Sequence, residues 1–130
     1  MTGIYDDLNN VSNLQDVATA LVQYAEKISG SSAKWQTEQW ILRPKNFVTF
    51  RIQPRDRSIR ISLRGHPKEF LDLDEVKVKA NMGGGAYSIF KLTSRDQLAA
   101  AAMHIRQAYD NWQRGSKRRR QKPVISFVPW

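Results

Sequence analysis

The chain has no cysteine. That absence removes disulfide frameworks, thiol nucleophiles and cysteine-ligated zinc or iron–sulfur sites. It has two histidines. His66 lies in the loop sequence "RGHPKE" and His104 sits between Met103 and Ile105 near an apolar helix stripe, so they build no metal or acid–base constellation. There is no Ser/His/acid pattern either, which leaves nucleophilic catalysis without machinery. No apolar run approaches the roughly 20 residues that span a bilayer. The opening "MTGIYDDLNN" is acidic and polar, without the basic start and apolar core of a signal peptide. The expectation is a cytoplasmic protein with no membrane partner, no metal and no cofactor.

What is present is enough for one folded unit. At 130 residues, 41% hydrophobic and 25% charged, the chain can bury a core but is short for two domains. The formal net charge is +9, which points to polyanionic partners such as nucleic acid. The charge is unevenly spread. Lys117, Arg118, Arg119, Arg120 and Lys122, five of the 21 basic residues, fall in "SKRRRQKP" with no acid among them. Residues 1–115 therefore read as a single domain, and 116–130 as a basic, then apolar, C-terminal tail.

The hydrophobic period changes along the chain. Residues 1–10 show no period and read as frayed. Leu14, Val17, Leu21, Tyr24, Ala25 and Ile28 then recur at gaps of three and four, one stripe of a helix. Ser12 and Gln15 have the spacing of a capping box, and Gly30 closes the helix. From Trp35 to Leu92 the period is two. Strands are expected at Trp35–Leu42, Phe47–Ile52, Ser58–Arg64, Val76–Ala80 and Tyr87–Leu92, with "GHPKEFLDLD" as an irregular connection holding a helical turn. Ser94 and Gln97 form a second capping-box pair. Leu98, Ala101, Ala102, Ile105, Ala108, Tyr109 and Trp112 then stripe a last helix that Gly115 is expected to stop. Short spacers favour hairpins. The expected architecture is α+β: a five-stranded, mainly antiparallel sheet with the N- and C-terminal helices on one face.

The segments "FVTFRI", "SIRISL" and "GGGAYSIFKLTSRDQLAAAAMHIRQAYDNW" together resemble a bacterial and archaeal domain family of unknown function. That domain is found at the C-terminus of so-called predicted transport proteins, some with nuclease-like N-terminal parts. The resemblance spans Trp35 to Trp112 and is carried by Leu98, Ala102, Ile105, Ala108 and Tyr109 in the helix. It implies the hairpin–turn–strand–helix order and, by association, a nucleic-acid setting. The chain departs from the pattern at Ala86 and Ser88, where acids are frequent in the family.

Three candidate sites follow from residue types. Gly83–Gly85 precede a strand instead of a helix, and no Lys-Ser or Lys-Thr follows, so a phosphate-binding P-loop is disfavoured against a simple turn. Asp56 with Glu75 and Lys77 resembles the acid-then-Glu-x-Lys pattern of metal-dependent nucleases, but Asp56 lies in a polar turn with no strand to fix it. A weak nuclease is the third-ranked reading. The leading candidate is the polar face of the sheet. Arg51, Arg60, Arg64, Lys77, Lys79 and Lys91 alternate onto it, a pattern suited to phosphate contacts and also to an ordinary wet face. Trp35, Trp40 and Trp112 read as core or rim aromatics. The tail "VISFVPW", with Phe127, Val128 and Trp130, either docks on its own sheet as an edge strand or adds to a partner protein's sheet. The leading expectation is a non-enzymatic domain that binds nucleic acid through the basic sheet face and the basic tail Lys117, Arg118, Arg119, Arg120 and Lys122, and the alternative a protein-interaction module.

Overall fold

The computed structural model describes residues 3–81 and 87–126, with side chains through Gly115. Three α-helices, α1 (Ile4–Asp7), α2 (Gln15–Ser29) and α3 (Leu98–Ser126), accompany six strands. The strands are β1 (Ser32–Gln36), β2 (Gln39–Arg43), β3 (Val48–Gln53), β4 (Ser58–Arg64), β5 (Lys79–Ala80) and β6 (Tyr87–Leu92). They form one antiparallel sheet in the order β1-β2-β3-β4-β6-β5. The class is α+β, as expected, with six strands in place of five.

The sixth strand comes from splitting the expected Trp35–Leu42 strand. Thr37 and Glu38 both take positive φ (53° and 63°), the geometry of a two-residue I′ turn between paired strands. Trp35 therefore pairs with Trp40. Such turns favour Asn-Gly or Gly-Gly, so Thr-Glu gives no warning of one. The expected strand Val76–Ala80 shrinks to Lys79–Ala80, its first carbonyl and the one just before it being engaged by other groups. The Glu75 carbonyl accepts from Gln97 Nε2 (3.1 Å), and the Val76 carbonyl lies 3.0 Å from His104 Nε2.

Both helix starts were open to capping, and only one behaves as spaced. Before α3, Asp96 N–H donates to Ser94 Oγ (3.3 Å) and Ser94 N–H donates to Gln97 Oε1 (3.1 Å). Before α2, Ser12 already has helical φ and ψ (−57°, −31°) at the end of a 3₁₀ turn, so no extended cap residue exists for the box. Gln15 instead bonds Asn9 Oδ1. The expectation of a frayed start also fails. Ile4, Leu8 and Val11 are buried, and Asp7 Oδ2 accepts from Trp40 Nε1 at 2.9 Å. A three-residue apolar set across two short turns is too brief to register as a period.

Gly30 ends α2 through the left-handed conformation (φ 72°), its N–H donating to the Glu26 carbonyl at 2.8 Å. Gly115 does not end α3. A glycine inside a helix costs only about 1 kcal/mol and stops it only where the chain turns left-handed. Lys117, Arg118, Arg119, Arg120 and Lys122 therefore lie along the continuing helix. Their side chains lie outside the described residues, as do Phe127, Val128, Trp130 and Gly83–Gly85 altogether.

The core lies between the helices and one face of the sheet. Cross-strand registers stack Val48–Leu63–Ser88, Phe50–Ile61–Phe90 and Ile52–Ile59–Leu92 on that face. Against them pack Val17, Leu21 and Ala25 of α2 and Ala101, Ile105 and Ala108 of α3. The alanines let α3 lie close over β3 and β4. Ser88 is fully buried among these residues and donates to the Gly65 carbonyl at 2.7 Å. An acid at this position would be buried, which accounts physically for a hydroxyl here.

Candidate functional site

The opposite sheet face is read from the same registers, because a period of two sends alternate residues there. One row runs Lys34–Ile41–Thr49–Ser62–Ile89–Lys79 across all six strands. It carries a lysine at each end and no charge between. The adjacent row places Arg51, Arg60 and Lys91 directly opposite one another on β3, β4 and β6. Three of the six expected basic residues thus converge in a line. Like charges directly opposed on a sheet destabilise it, so this row calls for counter-charge.

Two acids supply part of it from the hairpin turns. Glu38, in the β1–β2 turn, lies 3.5 Å from Arg51. Asp56, in the β3–β4 turn, lies 3.2 Å from Lys91. Both pairs are well exposed and exchange easily with solvent ions. Arg60, between them, makes no ion pair or hydrogen bond with any described residue. The acids were the part of the site that sequence reasoning missed. Glu38 sits in a turn with no turn signature, and the sequence pattern around Asp56 points to a metal ligand, not to a counter-ion.

Two hollows flank Arg60. The smaller, about 170 Å³, is lined by Gln39, Arg51, Arg60, Ser62 and Asn81. The larger, about 450 Å³, lies towards β5 and includes Arg60, Lys77, Lys79, Ile89 and Lys91 in its walls. Lys79 makes no ion pair with any described residue. Lys77 bonds Asp72, and Asp74 approaches it at 3.4 Å. The hydrogen bond that Lys77 donates to Asp72 raises its pKa, so its charge is both secure and locally balanced. Arg64 stands apart from this group. Its guanidinium lies 5.5 Å from the Tyr87 ring centre and donates to the Tyr87 hydroxyl at 3.2 Å.

The nuclease pattern does not assemble. Glu75 lies outside any strand, Lys77 is engaged by Asp72, and Asp56 by Lys91. Among the described residues no group of three or more His, Asp or Glu is placed to hold a metal ion. Both histidines have structural partners. His66 Nδ1 accepts from Lys68 N–H (3.2 Å) while Glu69 Oε1 accepts from His66 N–H (2.9 Å), capping a 3₁₀ turn at Pro67–Glu69. His104 is buried against Phe70 and Phe90, its Nε2 directed at the Val76 carbonyl. Since a carbonyl only accepts, Nε2 carries the proton. Burial lowers the His104 pKa and holds the ring neutral.

The tryptophans divide. Trp40 is buried and Trp112 half-buried, while Trp35 is 46% exposed and packs edge-on against Trp40 with ring centres 5.3 Å apart. All three stand away from the charged row. A further hollow of about 370 Å³ lies beside α3, with Tyr24, Leu71, Met103, Arg106 and Asp110 in its lining. No described helix is long and apolar enough to cross a membrane. Comparison with family models, with curated proteins and with solved structures returns no match. The family resemblance of Trp35–Trp112 therefore rests on the sequence segments alone.

Proposed function

We propose that this chain is a non-enzymatic domain that binds nucleic acid through the polar face of its sheet. The observation that carries the reading is the alignment of Arg51, Arg60 and Lys91 across three adjacent strands, on the face opposite the helices. Phosphates are contacted by such point charges and arginine forks without reading sequence. Lys79 extends the charge to the sheet edge, and Lys117 to Lys122 add a second basic segment. Ile41 and Ile89 lie on the polar face, but Trp40, Phe50 and Phe90 belong to the row that faces the helices, so the contact is electrostatic more than stacking. The reading places the protein in the cytoplasm with its ligand.

The test is retention of a fluorescent single-stranded oligonucleotide across a salt series. With four phosphate contacts, affinity falls about 50-fold between 50 and 200 mM salt, from a slope near −0.7 per contact. Retention that does not change over this range overturns the proposal.

A further inference from the structure

We infer that the small hollow between Arg51 and Arg60 is a phosphate-binding niche, the point at which this face grips a tetrahedral oxyanion. The inference rests on the nucleic-acid reading only for what carries the phosphate. The niche itself stands on local geometry.

The first ground is unrelieved repulsion. Arg60 has Arg51 on one side and Lys91 on the other, both as direct cross-strand partners. Each outer member has an acid nearby, at 3.5 Å and 3.2 Å, and the central one has none among the described residues. An anion beside Arg60 converts the least favourable feature of the sheet into a favourable one.

The second ground is the lining. The hollow is about 170 Å³ and its walls are polar: two guanidinium groups, the Gln39 amide, the Ser62 hydroxyl and Asn81. Gln39 and Ser62 make no side-chain hydrogen bond with any described residue, so their donors are available. Donors reach the hollow from three neighbouring strands, β2, β3 and β4, which suits an anion with oxygens on several sides. Two arginine forks fit phosphate geometry better than ammonium groups would.

The third ground is the competitor. Glu38 reaches Arg51 from a turn, and its side chain is 79% exposed. So loose a pair yields to a phosphate that Arg60 holds at the same time, releasing Arg51 to close on the same group.

The experiment uses the full chain and inorganic phosphate as probe. Thermal unfolding is followed in potassium phosphate and in potassium chloride of equal ionic strength, for the wild type, Arg60→Gln and Arg60→Lys. General salting-in or exclusion effects move all three alike. A bound phosphate raises the wild-type melting temperature by about 3 °C more than that of Arg60→Gln. Arg60→Lys falls between them, because it keeps charge without the fork. Equal rises in all three overturn the niche. In chloride, Arg60→Gln melts at or above the wild type, since the row loses its central charge. A fall of more than about 2 °C there overturns the claim that Arg60 is unrelieved. The oligonucleotide arm separates the two proposals. Arg60-dependent phosphate binding without any oligonucleotide retention supports the niche and overturns the nucleic-acid reading. Salt-sensitive oligonucleotide retention with equal phosphate-induced rises in all three proteins does the reverse.

Discussion

The two faces of the sheet share every strand and every register, yet they are built on opposite logics. On the helix side, Phe50, Ile61 and Phe90 meet as cross-strand neighbours and are nearly inaccessible. One position along, Arg51, Arg60 and Lys91 meet in the same way on the other face. The first row gains from being opposed, through burial of apolar area. The second loses from being opposed, through like-charge repulsion. A sheet that keeps both rows draws its stability from one side and leaves like charges opposed on the other.

The strongest way to break the comparison is to attack the buried row. Phe50→Ala leaves a cavity in the core between sheet and helices and costs about 3–5 kcal/mol of stability, read as a shift in the urea midpoint. If the faces are as separate as the registers imply, phosphate or oligonucleotide affinity of the surviving folded fraction is unchanged. Gly65→Ala comes next. Gly65 has φ 127°, and a Cβ there would overlap Asn111 Nδ2. That same amide donates to the Arg64 carbonyl at 3.0 Å. Strain and a displaced, partly buried hydrogen bond together cost about 2–4 kcal/mol. A near-neutral result would show that α3 moves freely away from the end of β4.

His104 tests the buried side by pH. Its ring is neutral in the fold, with a pKa below the ordinary 6.5. The unfolded chain therefore takes up a proton first as pH falls. This contribution to stability is full above about pH 6.5 and is lost as the pH drops towards the lower folded value. The slope is at most about 1.4 kcal/mol per pH unit for one proton. Urea midpoints from pH 8 to 5 should decline in the wild type, and the decline should be shallower in His104→Phe. Identical profiles would mean that the ring is readily protonated in place.

How much of this was legible in the sequence follows from what kind of pattern each feature needs. Ile59, Ile61 and Leu63 alternate cleanly, and β4 formed with the expected bounds. The α3 stripe and its Ser94–Gln97 cap were equally readable. Periodic burial repeats over enough residues to be seen. The turn at Thr37–Glu38 was not readable, because its positive φ values are held by the two strands it joins instead of by glycine or asparagine. Nor was the shortening of β5, which depends on Gln97 and His104, 22 and 28 residues away in the chain. For the site, the alternating basic residues were visible, but the order across strands was not. Register alone decides that Arg60 lies between Arg51 and Lys91, while Arg64 goes to Tyr87. The counter-charges Glu38 and Asp56 come from turns, where sequence gives position without direction.

The smallest expected effect sharpens the exposed face. Glu38→Gln removes the acid that competes for Arg51 while keeping the size and the turn geometry. Its pair with Arg51 is long and exposed, so stability changes by no more than about 0.5 kcal/mol. The electrostatic consequence is larger than the energetic one. With Glu38 neutral, the row Arg51–Arg60–Lys91 keeps, among the described residues, only Asp56 as paired counter-charge, and its attraction for a polyanion is expected to rise. Oligonucleotide affinity at low salt should increase about two- to threefold, the gain shrinking as salt screens the row. Salt-series retention of the two proteins, run side by side, checks both the size and the screening. A lower affinity in Glu38→Gln would mean that Glu38 orients Arg51 towards the ligand, making it a positioning residue of the exposed face.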